Sequence, residues 1–205
     1  MNKKLIVVGL AAVAVLLLAG ESDEIDNPAY EAPDLIDQAA ALWDDITDIS
    51  GGVMSLTEQK NVAAFLKMIR TAEGTAGPDG YRTLVGGSLF NSFADHPRKL
   101  VTILSNGRPI TSSAAGAYQI LTRTWAGVKG KLMLTDFTPA SQDRAAVELI
   151  RQRGALADVR AGRFGDALTK CRKEWASLPG AGYGQPEKSV GALFAAYVNA
   201  GGSVA

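Results

Sequence analysis

The sequence predicts an α+β fold, mostly helical with one small antiparallel hairpin, preceded by one N-terminal transmembrane helix. Three observations carry that reading. Several stretches repeat apolar residues at helical steps. Two short strand-like runs, 81–85 and 100–104, precede Asn106-Gly107, a pair that favours the tight turn of a hairpin. Residues 5–20 contain no polar side chain at all. Many helices around one small sheet is the α+β pattern.

Taken in order, Lys3 and Lys4 come first and the apolar run follows. As a helix, residues 5–20 would span roughly 24 Å, slightly less than the ~30 Å hydrocarbon core. A cleaved signal peptide and an uncleaved anchor both fit this run. The anchor is preferred, because Leu18-Ala19-Gly20 puts a bulky residue where a signal peptidase favours a small one. The two lysines then keep the N-terminus cytoplasmic and everything downstream is exported. Residues 21–54 form an acidic stalk, whose first thirty positions hold ten acidic side chains and no Lys or Arg. Pro28 and Pro33 break its start, residues 36–49 have a weak amphipathic pattern around Trp43, and Gly51-Gly52 makes a hinge. The stalk is read as a solvated spacer.

Residues 55–205 form the folded domain. Ser55 and Glu58 stand at capping-box spacing and start a helix. Val62, Leu66, Ile69 and Glu73 follow on one face, and Gly74 supplies the residue that ends it. An apolar stripe therefore finishes in a carboxylate. Held beside Ile69 at the negative end of the helix dipole, Glu73 would resist ionisation and suit general-acid work. Turned out to water, it would be an ordinary polar helix end, and position alone leaves both open. Residues 74–80 are too rich in Gly and Pro for anything but a loop. Helical signals resume with a helix start at 119–125 and a helix from Pro139 to Gly154, capped by Thr138. A further helix presents Leu168, Cys171 and Trp175 on one face, and a last helix runs from Pro186 through Tyr197.

Composition narrows the chemistry. Net charge is zero overall, yet residues 51–205 carry nineteen basic against eleven acidic side chains, a net +8. A basic surface attracts anionic polymers, but no base-reading motif accompanies it, so no nucleic-acid partner is expected. One cysteine, Cys171, excludes an internal disulfide framework, and it reads as a core residue. One histidine, His96, offers no metal-ligand cluster, and its Asp-His-Pro-Arg setting is turn-like. No metal and no cofactor are expected, which leaves carboxylates as the candidate catalytic groups.

Several strings resemble one family in the same order. These are Ala72-Glu73-Gly74-Thr75, Leu84-Val85-Gly86-Gly87-Ser88-Leu89-Phe90 and Asp95-His96-Pro97-Arg98-Lys99-Leu100-Val101-Thr102. Near the C-terminus, Trp175-Ala176-Ser177-Leu178-Pro179-Gly180-Ala181-Gly182-Tyr183-Gly184-Gln185 completes the set. Together they cover about residues 60–203 and resemble the lambda-type phage endolysins. That resemblance implies a lysozyme-like fold and a peptidoglycan lytic transglycosylase. Such an enzyme cleaves the β-1,4 bond from N-acetylmuramic acid to N-acetylglucosamine and leaves a 1,6-anhydro ring. It also implies Glu73 as the single catalytic glutamate. Gly116-Ala117-Tyr118-Gln119 is similar to the cleft motif Gly-Leu-Met-Gln of the wider transglycosylase group. Ala196-Tyr197-Val198-Asn199-Ala200-Gly201 is similar to its third motif but carries an extra residue, so Tyr197 and Asn199 receive no role.

With the resemblance, Gly116, Tyr118, Gln119, Tyr183 and Ser113 are expected to contact glycan. Packing at a helix start remains the other reading for Tyr118 and Gln119. Asp79 and Asp95 are the candidates for an assisting carboxylate. The expected partners are peptidoglycan strands and, through residues 5–20, a membrane, with the chain a monomer. Location at a host membrane and location in a virion both stay open, as do lysis and wall penetration during infection. The alternative function is a non-catalytic structural protein that binds glycan through a lysozyme-like domain.

Overall fold

The computed structural model describes residues 54–105, 107–182 and 187–205. Around α1 (Leu56–Glu73), the first helix among the described residues, the other elements assemble. Its start is the expected capping box: the Ser55 hydroxyl accepts the Glu58 N–H at 3.3 Å, and the Glu58 carboxylate accepts the Ser55 N–H at 2.8 Å. Val62, Phe65, Leu66, Met68, Ile69 and Ala72 bury one broad face. Each large apolar side chain so buried contributes about 1.5–3 kcal/mol. Gly74 ends the helix at φ 74°, a left-handed conformation that costs glycine nothing.

The hairpin consists of β1 (Val101–Ser105) and β2 (Arg108–Ser112), antiparallel, with Val101 opposite Ser112 and Ser105 opposite Arg108. The strand expected at 81–85 does not form. Residues Gly80–Arg82 make a 3-10 turn instead, and Thr83 and Leu84 reach only isolated bridges to Leu89 and Ala115. The cause is a close approach: a Cβ on Gly80 would overlap the Thr75 carbonyl, so the chain turns tightly there. Gly86 and Gly87 then reverse it before a ladder can extend.

Four helices follow before the last. The segment expected to begin a helix at 119 is a turn, because Gln119 sits at φ 47° and Ile120 bridges back to Ala115. Helix α2 (Thr122–Leu132) starts three residues later. Helix α3 (Pro139–Gln152) has the expected start, with Pro139 in its first turn and the Thr138 hydroxyl accepting the Ser141 N–H. Two short helices follow, α4 (Leu156–Arg160) and α5 (Phe164–Cys171). Leu168, Cys171 and Trp175 are buried together as expected, but α5 stops at Cys171 and Trp175 lies in the turn beyond.

Helix α6 (Val190–Asn199) is capped by Ser189; Pro186 lies outside the described residues. It packs antiparallel to α1: Phe65 meets Tyr197 edge-on at 6.5 Å, while Asn61, a turn earlier, accepts the Ser203 N–H at 2.8 Å. Tyr197 is thus a core residue and Asn199 is exposed. The expected anchor and stalk fall outside the described residues, except Met54, which is buried. Among the described residues no helix is long and apolar enough to cross a membrane.

Candidate active site

Glu73 is the last residue of α1, half-buried, with the Ser177 hydroxyl donating to its Oε1 at 2.6 Å. Burial raises its pKa above the ordinary carboxylate value; the Ser177 hydrogen bond opposes this without cancelling it. The C-terminal end of the helix dipole disfavours the charged form as well. A carboxyl group so placed keeps its proton to higher pH than a solvated one.

Three distant segments are pinned together beside this residue. Thr75, two positions beyond Glu73, donates its hydroxyl to the Ala117 carbonyl at 2.5 Å. Trp175, two positions before Ser177, donates its indole N–H to the Tyr118 carbonyl at 3.1 Å. The turn 116–119 therefore bridges the end of α1 to the segment that carries Ser177. Gln142 of α3, fully buried, braces that turn from behind. Its Oε1 accepts the Ala117 N–H at 2.8 Å, and its amide donates to the Tyr81 and Phe137 carbonyls. A Cβ on Gly116 would overlap the Gln142 side-chain oxygen, and φ is 77° there, so only glycine fits.

Beneath the turn lies a second polar cluster. Tyr118 and Tyr81 both donate their hydroxyls to Asp143 Oδ1, at 2.6 and 2.8 Å. Arg70, one turn before Glu73, donates to the Tyr81 hydroxyl and stacks over its ring at 4.4 Å. Burial raises the Asp143 pKa although both tyrosines stabilise its charge, and burial holds both phenols above their usual value.

The expected glycan contacts sort themselves differently. Gly116, Tyr118 and Gln119 share one turn next to the Glu73 junction. Tyr118, however, is 1% exposed with its hydroxyl committed to Asp143, so its side chain belongs to the core and offers no surface to a ligand. Gln119 is half-buried and closes its own turn, donating to the Gly116 carbonyl at 3.0 Å and the Thr83 carbonyl at 3.2 Å. Ser113 accepts the Thr122 N–H at 3.1 Å and so serves the first turn of α2. Tyr183 lies outside the described residues.

Other titratable groups near the expected chemistry have structural duties. Burial alone would raise the Asp95 pKa. Hydrogen bonds from Trp125 at 2.9 Å, Lys129 at 3.0 Å and the His96 N–H at 2.9 Å hold it well below the usual carboxylate range, and Arg98 pairs with its other oxygen at 2.7 Å. Asp79 is exposed on the Gly-rich loop, where its carbonyl accepts the Thr83 hydroxyl. His96 is buried, with Nε2 donating to the Ile120 carbonyl and Nδ1 accepting the Arg98 N–H, so neither ring nitrogen is available as a base. Burial pushes the Cys171 thiol up to about 12, which makes it an inert core group. Among the described residues no group of three His, Cys, Asp or Glu could hold a metal ion.

Sequence reading missed Ser177 as a functional group, along with Thr75, Gln142 and Asp143. Ser177 stands within the Trp175 block that carries the resemblance, yet nothing local marks its hydroxyl for a carboxylate 104 positions away.

Comparison with known proteins matches this geometry to a class. The Endolysin family profile matches residues 63–204, most of the described domain. The chain is 44% identical over 147 residues to the endolysin of Escherichia phage lambda, covering 69% of this chain and 91% of that protein. It is 42% identical over 165 residues to the endolysin of Escherichia phage P2, covering 72% and 96%. The structure of bacteriophage lambda lysozyme complexed with a chitohexasaccharide superposes with a TM-score of 0.67 at 41% identity, across 75% of this chain and all of that one. A second structure of lambda lysozyme gives 0.64 at 42% identity, covering 71% of this chain and 97% of that one. The fold is that of a lysozyme. The chain belongs to the Endolysin family, of the lambda type.

Proposed function

We propose that this endolysin is a peptidoglycan lytic transglycosylase that cleaves the β-1,4 bond between N-acetylmuramic acid and N-acetylglucosamine. The observation that carries the proposal is Glu73: half-buried, raised in pKa, and fixed by one short hydrogen bond from Ser177. That a relative of the same fold was solved with a chitohexasaccharide supports glycan as the ligand class.

One carboxyl group suffices for the reaction. With Ser177 donating to Oε1, the proton sits on Oε2, which donates it to the glycosidic oxygen as the C1–O bond breaks. The substrate's 2-acetamido oxygen supports the positive anomeric carbon. The Glu73 carboxylate, stabilised by Ser177, then takes the proton of the muramic acid 6-hydroxyl as that oxygen closes onto C1. No water is consumed, and Glu73 regains its proton. Hydrolases of this type need two carboxylates ~5–9.5 Å apart; the commitment of Asp95 to Trp125, Lys129 and Arg98 leaves it a poor second one. In this reading Gly116 and Gln119 shape the cleft wall, Tyr118 positions that turn from below, and Ser113 and Tyr183 contact the glycan.

The delivery we propose follows from the sequence. Residues 5–20 tether the chain with its N-terminus in the cytoplasm, residues 21–54 space the domain from the bilayer, and residues 55–205 act on the wall as a monomer, in lysis or in wall penetration. Mass analysis of fragments released from purified wall tests the chemistry. Disaccharide ends lighter by one water mark the anhydro product. Ordinary reducing ends would make the enzyme a hydrolase, and binding without cleavage by a folded protein would make it a glycan-binding module.

A further inference from the structure

Helix α6 has an unusual composition for a surface helix: its ten residues include no charged side chain. Leu193 and Tyr197 point into the core against α1. On the outer side Val190, Phe194 and Val198, at successive steps of four, remain 51%, 40% and 42% exposed. Gly191 and Ala195, also exposed, complete that face without adding a polar group. A helix that is apolar all round is normally covered on both sides. Here one side is open.

Residues 36–49 have the complementary pattern. Ile36, Ala39, Trp43 and Ile46 fall at steps of three, four and three, with Leu42 and Ile49 beside them, so as a helix they make one apolar face. Asp37, Asp44, Asp45 and Asp48 fall on the opposite face. Fourteen residues extend about 21 Å as a helix, enough to cover the ~12 Å between Val190 and Val198.

The tether has the right reach and direction. The chain enters α1 at its N-terminal end, and the antiparallel packing brings the C-terminal end of α6 beside that same end. Residues 50–53 give a connection of at most about 17 Å between Ile49 and Met54. Charge points the same way. Residues 36–49 carry four aspartates and no basic residue, and the domain they would meet is net +8. Lys188, exposed just before α6, and Lys60, exposed on α1, are available cations. A segment tethered this closely has an effective concentration in the millimolar range, which a free partner does not reach.

We propose that residues 36–49 dock as an amphipathic helix on the Val190–Phe194–Val198 face of α6. The stalk would then be a fixed strut on the domain and not a solvated spacer. The proposal is independent of the catalytic reading.

The test uses the full-length chain in phosphatidylcholine vesicles. With A39C and A195C together, mild oxidation should give an intrachain disulfide, because the native Cys171 is buried and does not compete. Trp43 should be shielded from acrylamide, and V190D or F194D should expose it with a red shift in emission. Trp125 and Trp175 are buried and contribute a constant background. Phe194 also touches Phe164 at 5.3 Å, so V190D, at the more exposed position, keeps the test valid if F194D does not fold. An interchain disulfide would assign the face to a second copy. Shielding insensitive to V190D but lost on removal of lipid would assign the segment to the bilayer. Free quenching of Trp43 in the unmutated chain, with no disulfide, would leave a solvated spacer. Any of these three results overturns the proposal.

Discussion

Replacing Ser177 by alanine removes one hydrogen bond from Glu73 and nothing else of comparable size. In the structure the Ser177 hydroxyl donates to Glu73 Oε1 at 2.6 Å, a short O–H···O bond that is stronger when the carboxyl is charged. Hydrogen bonds to charged groups contribute about 1.5–3 kcal/mol, and the half-exposed position of Glu73 places this one at the lower end. Since about 1.4 kcal/mol corresponds to one pK unit, S177A should raise the Glu73 pKa by roughly one unit further. The sign follows from which form is stabilised: Ser177 favours the carboxylate, so its loss favours the acid. The alkaline limb of kcat/KM, where the general acid is lost, should therefore move up by about one pH unit. The plateau should fall about tenfold as the carboxyl loses its fixed orientation, the rate equivalent of ~1.4 kcal/mol. S177T, which keeps a hydroxyl, should restore both. A pH–rate profile on purified wall reads this directly. An alkaline limb that stays in place, or moves to lower pH, would refute the assignment of Ser177 as the group that tunes and holds Glu73.

Other consequences are equally specific. E73Q should abolish cleavage yet raise thermal stability near neutral pH. The folded-state pKa is raised, so the destabilisation is absent below the unfolded value of about 4.3 and grows as pH rises toward the folded value; the Tm gain should vanish near pH 4. Glu148 is 1% exposed and accepts from Lys131 at 2.8 Å, Arg151 at 2.7 Å and Gln152 at 2.7 Å. Burial would raise its pKa, but these three partners bring it down to about 2. Its stabilisation is complete above the unfolded value of about 4.3 and lost as pH falls toward about 2. E148Q should cost about 1–3 kcal/mol at pH 7 in urea denaturation, a gap that closes in acid. G116A should cost about 1–3 kcal/mol, through its positive φ and its overlap with Gln142, and lower activity by displacing the turn beside Glu73. Calorimetry and wall-clearing rates check that pair.

What could be read in the sequence is what local chemistry decides. The ends of α1 and the start of α3 were legible because Ser55, Glu58, Gly74 and Thr138 satisfy backbone groups within four residues of themselves, while Pro139 lacks the first-turn N–H that would need a partner. Asn106-Gly107 signalled the hairpin by a similarly local preference, and Gly107 takes a positive φ of 75° between the strands. The failures depend on how the chain folds back on itself, over a few residues in two cases and from far along the chain in the third. Residues 81–85 look like a strand until the Thr75 carbonyl lies against Gly80. Residues 119–121 look helical until Ile120 pairs with Ala115. Tyr118 resembles a cleft residue by motif, and only Asp143, 25 positions on, draws it into the core. Glu73 drew attention by its place at the end of an apolar stripe, and the resemblance, not the stripe, implied a catalytic role for it. The partner that completes it, Ser177, comes from across the fold and has no local signature.

The most direct test is to digest purified peptidoglycan in water labelled with heavy oxygen, using the wild-type protein beside E73Q, and to weigh the released saccharides. Intramolecular attack by the 6-hydroxyl predicts anhydro ends that carry no label from the wild type, and no fragments from E73Q. Labelled reducing ends would show that water is the acceptor and would contradict the single-carboxylate mechanism. Cleavage surviving in folded E73Q would remove Glu73 from its centre.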